Sequence, residues 1–522
     1  YYSMRYLLLT VFFLVSFVVI ACGQIVFPSP NQVKIQKGNL NIGKNVSIYA
    51  EDTTTFYLSF FRTEVLRNIP VKWTKKASKA EIYWVTDSSL SSEAYKISIN
   101  PRQMVIAASG KEGFTHAVQT LRQWVADSAG NLIFASVVIS DSPRVPWRCF
   151  LLDSGRQYQK IATIKKYIDM ASLLKMNYFH WHLTEGLGWR IEIKRYPRLA
   201  QIGGTVGKGE EQQGFYTQAE IREIVEYAAQ RNITVVPEID MPGHAEAALS
   251  AYPELSCFGL PVEVPEYGFT PNIFCAGKEE VLHFLKNVLD EVCTLFPSPY
   301  IHLGGDEAPK DNWNKCPDCQ QRITAMNLKN SHDLQLWFSA QMAAYLKLKG
   351  RQAIFWGDVV YHDGYPLPDN TVIQWWNFRG HKDLALRNAL RLRYPVICSS
   401  NYYTYLNFPL IPWKGYAKER TFDLKDVYYN NPSDKVIDEK NPLVLGMTCA
   451  LWTDDGVTER MIDRRLFPRI LALAEQMWHQ GEVLDFTRFY QNILQREQWF
   501  GQMGFEFGPA LKSGVKEDYK WD

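Results

Sequence analysis

The amino-acid sequence predicts an α/β fold in which a small mixed domain precedes a closed barrel of eight parallel strands and their helices. The 522 residues exceed the length of one ordinary domain. Beyond residue 143, short apolar runs typical of buried strands alternate with amphipathic helical patterns. No GxGxxG or Walker sequence favours the open, doubly wound alternative. Together these observations indicate a (β/α)8, or TIM-barrel, architecture.

The barrel strands are predicted from eight apolar runs, at residues 149–152, 178–183, 234–239, 300–303, 353–356, 372–376, 396–399 and 443–451. The periodicity between them predicts helices at 164–175, 220–230, 281–295 and 334–347. Upstream, alternating runs and a helical stretch predict the small α/β domain, at 46–49, 80–85 and 113–124. Two prolines in segment 141–146 are typical of a junction, which gives domains of 23–142 and 143–522.

The N-terminus has the pattern of an export signal. Arg5 precedes an apolar run over residues 6–21 that is short for a membrane span. The run ends in Ala21-Cys22-Gly23, which is similar to a bacterial lipobox, in which the cysteine is lipidated. Residues 1–22 are therefore predicted to be a signal peptide and the protein to be exported and lipid-anchored through Cys22, in the periplasm or at the cell surface. An ordinary signal peptide with a chance cysteine is the alternative.

Composition narrows the choice of partners. With 57 basic and 55 acidic residues, the formal charge of +2 provides no field that would attract nucleic acid. Aromatic residues make up 14% of the chain and include 16 Trp, whose flat faces can stack on sugar rings as well as fill a core. A glycan is the expected partner, membrane contact is expected only through the lipid anchor, and the sequence predicts no oligomeric state.

The nine cysteines are scattered and do not form a recognisable disulfide framework. Cys316 and Cys319 have the spacing of a metal-binding knuckle, but no second close pair follows them. We expect a local disulfide or two packed thiols at this position. No metal and no cofactor are predicted.

In such a barrel the reacting groups lie just past the C-terminal ends of the strands. Polar or aromatic side chains follow every predicted strand, in chain order Arg156; Glu185 and Trp189; Asp240 and His244; Asp306 and Glu307; Trp356 and Asp358; Trp375 and Trp376; Tyr402, Tyr403 and Tyr405; and Trp452 and Asp454. Ordinary turn residues would be more typical of a barrel without a site. These positions are therefore predicted to form a functional face.

Two consecutive carboxylates, Asp306 and Glu307, end the fourth barrel strand after two glycines. A retaining glycosidase with a protein nucleophile needs two carboxyls about 5 to 5.5 Å apart on opposite sides of the scissile bond, which adjacent residues fit poorly. They fit a substrate-assisted mechanism, in which the 2-acetamido oxygen of the sugar attacks C1. Asp306 would hold the acetamido N–H, and Glu307 would be the general acid and base.

Four stretches carry a resemblance to a known family: LLDSGR at 151–156, KMNYFHWHL at 175–183, PEIDMPGH at 237–244 and HLGGDE at 302–307. On these motifs the chain resembles the β-N-acetylhexosaminidases of glycoside hydrolase family 20. The resemblance implies an exo-acting hydrolase that removes terminal, non-reducing β-linked N-acetylhexosamine with retention of configuration. It also implies that the first domain is the small α/β domain that precedes the barrel in this family.

The resemblance further implies roles for individual residues. The catalytic set would be Asp306, Glu307, Tyr405 on the acetamido oxygen, and His244 with Glu185 behind Glu307. Hydroxyl groups of the sugar would be bound by Arg156, Asn407 and Asp454, and its ring and acetamido group would be walled by Trp356, Trp376, Trp413 and Trp452. His180 and His182 are structural rather than catalytic in the family.

The sequence departs from the family pattern in three places. Glu185-Gly186 stands where Asp-Asp is usual, Asn407 where Asp is usual, and Asp454 where Glu is usual. The last two positions contact the 4- and 6-hydroxyls in the family, so the choice between N-acetylglucosamine, N-acetylgalactosamine and a 6-substituted sugar stays open. The lost charge at 407 leads to the hypothesis that an anionic 6-substituent such as sulfate is tolerated. Lys414 or Arg420 would supply a counter-charge. The alternative is that Asn407 binds the same sugar hydroxyl as a neutral donor and acceptor.

Two other functions compete with this interpretation. His180-x-His182 on a strand resembles the metal-binding pair of amidohydrolase barrels, although here it lies in the second strand and not the first. A surface lipoprotein that only captures glycans with its aromatic residues would need no acid. Zinc-dependent activity would favour the first alternative, and turnover of an aryl N-acetylglucosaminide would exclude the second.

Overall fold

The structure of the protein is a computed structural model, described for residues 25–128, 130–209, 212–265, 269–410, 422–454, 456–481 and 484–514. Cys22, Trp413, Lys414 and Arg420, which the sequence singles out, lie outside these described residues. In the described part of the chain, no helix combines the length and the apolar composition that crossing a membrane requires.

One mixed sheet builds the N-terminal domain. Its strands are β1 (Gln32–Ile42), β2 (Val46–Tyr49), β3 (Val71–Trp73), β4 (Ile82–Thr86), β5 (Tyr95–Ile99), β6 (Met104–Ala108), β7 (Ala126–Ser128) and β8 (Asn131–Asp141). Their order is β1-β8-β5-β6-β4-β2-β3, with β7 also paired to β8. The helix Lys111–Trp124 and the helical segment from Phe56 to Val65 pack with the sheet around an apolar core. The predicted small α/β domain is confirmed.

Eight parallel strands close the barrel in the order β9-β10-β13-β14-β15-β16-β17-β18. They are β9 (Trp147–Asp153), β10 (Tyr178–His182), β13 (Thr234–Glu238), β14 (Tyr300–His302), β15 (Gln352–Trp356), β16 (Thr371–Trp375), β17 (Val396–Cys398) and β18 (Val444–Leu451). A short hairpin, β11 (Thr184–Glu185) with β12 (Gly188–Trp189), follows β10. All eight predicted strands are confirmed. β9 begins earlier than predicted because Trp147 and Arg148 already pair with β18.

Helices follow the strands and cover the barrel. The longer ones are Ile161–Leu173, Gln218–Gln230, Glu279–Leu295, Pro317–Ala325, Ser331–Leu348, Leu384–Arg391, Arg469–Trp478 and Phe486–Gln502. The shorter ones are Arg198–Gln201, Glu246–Ala251, Asp311–Lys315, Asn401–Thr404, Leu424–Asn430, Pro432–Asp438 and Ile462–Leu466. The helix Gln218–Gln230 begins two residues earlier than predicted because Thr217 and Glu220 form a reciprocal capping box.

A buried ion pair joins the two domains. Lys175 Nζ, after the first barrel helix, lies 2.9 Å from Asp141 Oδ2 at the end of β8, and both side chains are fully buried. Trp478 Nε1 and the Tyr95 hydroxyl also donate to Asp141. Burial lowers the pKa of Lys175 despite the charge of Asp141. A buried, hydrogen-bonded ion pair therefore lies at the interface between the domains, and each of its charges depends on the other for a partner.

The cysteines correct one expectation. Cys316 and Cys319 form neither a local disulfide nor an isolated pair of packed thiols, because Cys257 and Cys275 lie against them. These two come from the long loop after β13. Sequence spacing could not reveal this cluster, since its two halves are about forty residues apart and meet only in the folded chain.

Candidate active site

The turn after β14 brings two adjacent carboxylates into one cavity. Gly304 and Gly305 have φ values of 64° and 95°, which L side chains rarely adopt. A Cβ on Gly304 would lie 1.7 Å from Asp240 Oδ1, and the Gly305 N–H donates to the same oxygen at 3.0 Å. Glu307 itself has a φ of 45°. This irregular backbone removes the strand alternation that would point Asp306 and Glu307 to opposite sides.

The cavity above the barrel has a volume of about 610 Å³, within the size range of small-molecule sites. Every predicted catalytic or sugar-binding residue in the described part of the chain lines it: Arg156, Glu185, His244, Asp306, Glu307, Trp356, Trp376, Tyr405, Asn407, Trp452 and Asp454. A smaller cavity of about 320 Å³ adjoins it and shares Glu307 and His244 with it. The second space is also lined by Phe269.

His244 links the acidic pair to a second carboxylate. Its Nδ1 lies 2.8 Å from Glu185 Oε1, and its Nε2 lies 3.6 Å from oxygens of both Asp306 and Glu307. Burial alone would lower the pKa of His244, but the charges of Glu185 and Asp306 outweigh it and raise that pKa well above its usual value. Although burial opposes it, Arg156 and His244 hold the pKa of Glu185 well below its usual range. The imidazolium form of His244 is therefore stabilised beside the acid.

Arg156 lines the cavity and is held in place by carboxylates. Its Nη1 lies 2.9 Å from Asp153 Oδ2, its Nη2 lies 3.5 Å from Glu185 Oε1, and its guanidinium carbon lies 5.4 Å from the centre of the Trp452 ring. Burial would lower the pKa of Arg156, but the surrounding carboxylates raise it well above its usual value. A fixed fork of N–H donors suits recognition of vicinal hydroxyls.

Aromatic side chains wall the other side of the cavity. Trp356 Nε1 donates to Glu238 at 2.7 Å, and Trp376 Nε1 donates to Asp358 at 2.6 Å, so both indoles are held in one orientation. The Tyr405 ring lies parallel to the Trp376 ring, at 6.3 Å between centroids and 5° between planes. These flat faces meet the acidic pair and form an enclosed corner suited to a small amide such as an acetamido group.

Asn407 and Asp454, two of the residues that differ from the family pattern, are in contact. Asn407 Nδ2 donates to Asp454 Oδ1 at 2.9 Å, and Asn407 is almost fully buried. One carboxylate, that of Asp454, is therefore present at this end of the cavity although position 407 is neutral. The substitution at 407 considered by itself does not show this. Arg379 also lines the same cavity.

Three acidic residues of the site have no catalytic or sugar-binding role assigned from the sequence. Asp240 holds the glycine turn, Asp358 accepts from the Glu307 N–H at 3.4 Å as well as from Trp376, and Glu238 supports Trp356. Burial and the charge of Asp306 raise the pKa of Asp358 to about 7. Asp240 and Asp358 both follow strand ends and so belong to the predicted functional face, but the sequence assigns neither of them an individual role. Glu238 is fully buried within a strand and carries no such signal.

The histidine pair of the second strand belongs to a buried network. His180 Nε2 and His182 Nδ1 both lie within 2.9 Å of the same Glu238 oxygen, and His302 Nδ1 lies 3.2 Å from the other. Burial lowers the pKa of His180 to about 4. The rings share one carboxylate that in turn fixes Trp356, which is a supporting arrangement for the cavity wall.

Residues 145–481 match the family described as glycosyl hydrolase family 20, catalytic domain, and residues 24–142 match domain 2 of the same family. The chain belongs to glycosyl hydrolase family 20. It is therefore an exo-acting glycosidase of the β-N-acetylhexosaminidase class, which removes terminal β-linked N-acetylhexosamine. Family membership rules out the amidohydrolase alternative, and its curated relatives' shared name of β-hexosaminidase favours catalysis over glycan capture alone.

Curated relatives and solved structures agree with this assignment. The chain is 36% identical to a β-hexosaminidase of Porphyromonas gingivalis over 82% of its own length and 56% of the relative, and 31% identical to one of Akkermansia muciniphila over 88% and 93%. It superposes on the crystal structure of a β-N-acetylhexosaminidase from Bacteroides fragilis with a TM-score of 0.91, 61% identity and coverage of 96% and 100%. A Vibrio harveyi enzyme solved with N-acetylglucosamine gives a TM-score of 0.83 at 26% identity, with coverage of 94% and 79%.

Proposed function

We propose that the cavity hydrolyses terminal β-linked N-acetylglucosamine by substrate-assisted, retaining catalysis. The observation that carries this proposal is the pair Asp306 and Glu307, adjacent in sequence yet lining one cavity beside an aromatic corner. Such a pair is poorly spaced for a protein nucleophile opposite the acid. The N-acetylglucosamine complex of the Vibrio harveyi relative supports the choice of sugar.

In the first step the acetamido oxygen attacks C1, and the bond from C1 to the leaving oxygen breaks as Glu307 donates its proton to that oxygen. Asp306 accepts a hydrogen bond from the acetamido N–H and offsets the positive charge of the oxazolinium ion. Tyr405 donates to the acetamido oxygen. In the second step the Glu307 carboxylate takes a proton from water, which attacks C1 and restores the acetamido group, so two inversions retain the β configuration.

The experiment compares aryl β-glycosides that carry or lack the 2-acetamido group. We expect turnover only with the acetamido group, a β-configured first product by NMR, and inhibition by a thiazoline mimic of the oxazolinium ion. Comparable turnover of a plain aryl β-glucoside, or a sugar trapped covalently on a carboxylate, contradicts the mechanism.

We further propose that the protein is exported and anchored through a lipid on Cys22. The short apolar run at 6–21, which ends at this cysteine, supports the proposal. Metabolic labelling with a fatty acid should mark the wild-type protein, and Cys22→Ala should abolish the label and release the protein from membranes. A soluble mature protein whose N-terminus lies beyond Cys22 contradicts this proposal.

A further inference from the structure

Four cysteines meet at one buried point outside the active-site cavity. Cys275, Cys316 and Cys319 are fully buried, and Cys257 is nearly so. The Cys275 sulfur lies 3.7 Å from that of Cys316 and 3.6 Å from that of Cys319, and the Cys257 and Cys319 sulfurs are 4.0 Å apart. One sulfur from each cysteine lies within 4.8 Å of all the others. Bonded disulfide sulfurs would be about 2.0 Å apart.

These distances match a tetrahedron of sulfur ligands. Zinc binds thiolate sulfur at about 2.3 Å, which places neighbouring sulfurs of a regular tetrahedron about 3.8 Å apart. The three sulfur–sulfur distances given above, 3.6, 3.7 and 4.0 Å, are close to that distance. A site with four sulfurs is typical of structural zinc, because thiolates are the ligands that this ion prefers in closed tetrahedral sites.

The backbone holds the four cysteines in place. Ser256 and Phe274 form an antiparallel bridge, which sets Cys257 and Cys275 side by side on two segments of one loop. Cys316 directly precedes the helix Pro317–Ala325, in which Cys319 occupies the first turn. The two halves touch at Gly277, where an added Cβ would lie 2.2 Å from the carbonyl carbon of Asp318.

Lys278 and Arg322 each donate to a backbone carbonyl near these cysteines. Lys278 Nζ donates to the Ser256 carbonyl at 2.7 Å, and Arg322 Nη2 donates to the Gly277 carbonyl at 3.2 Å. A zinc ion with four thiolates carries a net charge of −2. Lys278 would compensate part of that charge in a buried setting, whereas Arg322 Nη2 also lies 2.9 Å from Glu279 Oε2 and is already paired with a carboxylate.

We propose that Cys257, Cys275, Cys316 and Cys319 bind one structural zinc ion that clamps the loop after β13 to the helices after β14. On binding, each thiol releases its proton to solvent and its sulfur becomes a zinc ligand. The clamped loop also carries Phe269, whose ring centroid lies 5.9 Å from that of His244. The ion would thus fix the loop that packs over the histidine beside the acid.

The test measures metal content of the full-length wild-type protein after purification without chelators. We expect about one zinc per chain by elemental mass spectrometry, matched by native mass spectrometry. A thiol-specific mercurial should release this zinc, as followed with a colorimetric zinc indicator. Protein produced with Co²⁺ in place of zinc should show the absorption of a tetrahedral thiolate complex.

Two matched variants locate the ion. Cys319→Ser should lose zinc and unfold at a lower temperature, whereas Cys293→Ser, at a half-buried cysteine outside the cluster, should keep about one zinc and the wild-type melting temperature. Wild-type metal content decides the question even where Cys319→Ser fails to fold.

Three results overturn the proposal. The first is wild-type protein without metal in which all four cluster cysteines are free thiols, and the second is protein that lacks the mass of four hydrogens because these cysteines have formed two disulfides. The third is stoichiometric iron in place of zinc. Loss of zinc from Cys293→Ser but not from Cys319→Ser would also overturn it.

Discussion

Glu185 Oε1 lies 2.8 Å from one nitrogen of His244, and the other nitrogen lies 3.6 Å from oxygens of both Asp306 and Glu307. The ring thus stands between a buried anion and the acidic pair. Because the folded-state pKa of His244 is raised, its positive charge persists above the usual titration range of histidine and is lost only as pH rises further.

Glu185→Gln should shift the alkaline limb of the kcat/KM profile to lower pH. The substitution removes the largest attractive charge on His244, so its pKa falls and the imidazolium is lost earlier. Profiles of wild type, Glu185→Gln and the exposed control Glu223→Gln are compared on one substrate. An alkaline limb that stays in place in Glu185→Gln while the overall rate falls would show that His244 has no electrostatic part in the reaction.

Glu307→Gln should slow substrates with poor leaving groups by about 10²- to 10⁴-fold and should affect good leaving groups far less. A good leaving group needs little protonation, so the loss of the acid costs it little. Asp306→Asn should slow both substrates in similar proportion, because charge on the oxazolinium develops with either. Initial rates on aryl glycosides of graded leaving-group pKa distinguish the two patterns; equal losses for Glu307→Gln across the series would exclude it as the acid.

Asp358→Asn should remove a pH-dependent contribution to the rate near neutrality. Burial and Asp306 raise the pKa of Asp358 to about 7, so the side chain is neutral below that pH and negative above it. The added negative charge favours the positive charge that develops on the sugar. The ratio of wild-type to Asp358→Asn kcat/KM should therefore rise as pH passes through about 7. The control Asp383→Asn, at a partly exposed side chain outside the cavity, should give a flat ratio, and a flat ratio for Asp358→Asn counts against this role.

The sugar specificity should depend on the contact between Asn407 and Asp454. Asn407→Asp would place a second carboxylate beside Asp454, so we expect kcat/KM on a 6-sulfated substrate, relative to the plain one, to fall about tenfold or more. Asp454→Asn should change the same ratio in the opposite direction. A wild type that already discriminates against the sulfate as strongly as Asn407→Asp does would rule out tolerance of anionic 6-substituents.

Lys175→Met should lower the free energy of unfolding by about 3 to 5 kcal/mol, because it leaves the buried Asp141 charge without its partner. Asp141→Asn should cost a comparable amount, and the double variant should cost less than the sum. Urea titrations with Lys165→Met, which loses an exposed ion pair, provide the control. A Lys175→Met variant as stable as this control would mean that the ion pair does not secure the domain interface.

Periodicity alone determined the barrel. Most of the buried parallel strands are predominantly apolar runs, and such runs at regular intervals between helical patterns are compatible with few other folds. The same logic placed Asp306, Glu307 and His244 on one face, since the C-terminal ends of parallel strands must converge there. The acidic turn could be predicted because its glycines and carboxylates are contiguous in sequence.

Only the tertiary structure decided which groups meet across loops. Asn407 and Asp454 contact each other from different strand ends, Asp358 orients Trp376, and Glu238 binds histidines of two other strands. The four cysteines make the same point most clearly, because their spacing along the chain has no metal-site pattern as a whole. Local sequence encodes backbone conformation and burial, whereas contacts between residues far apart in the chain depend on how loops of particular length and packing return to one another.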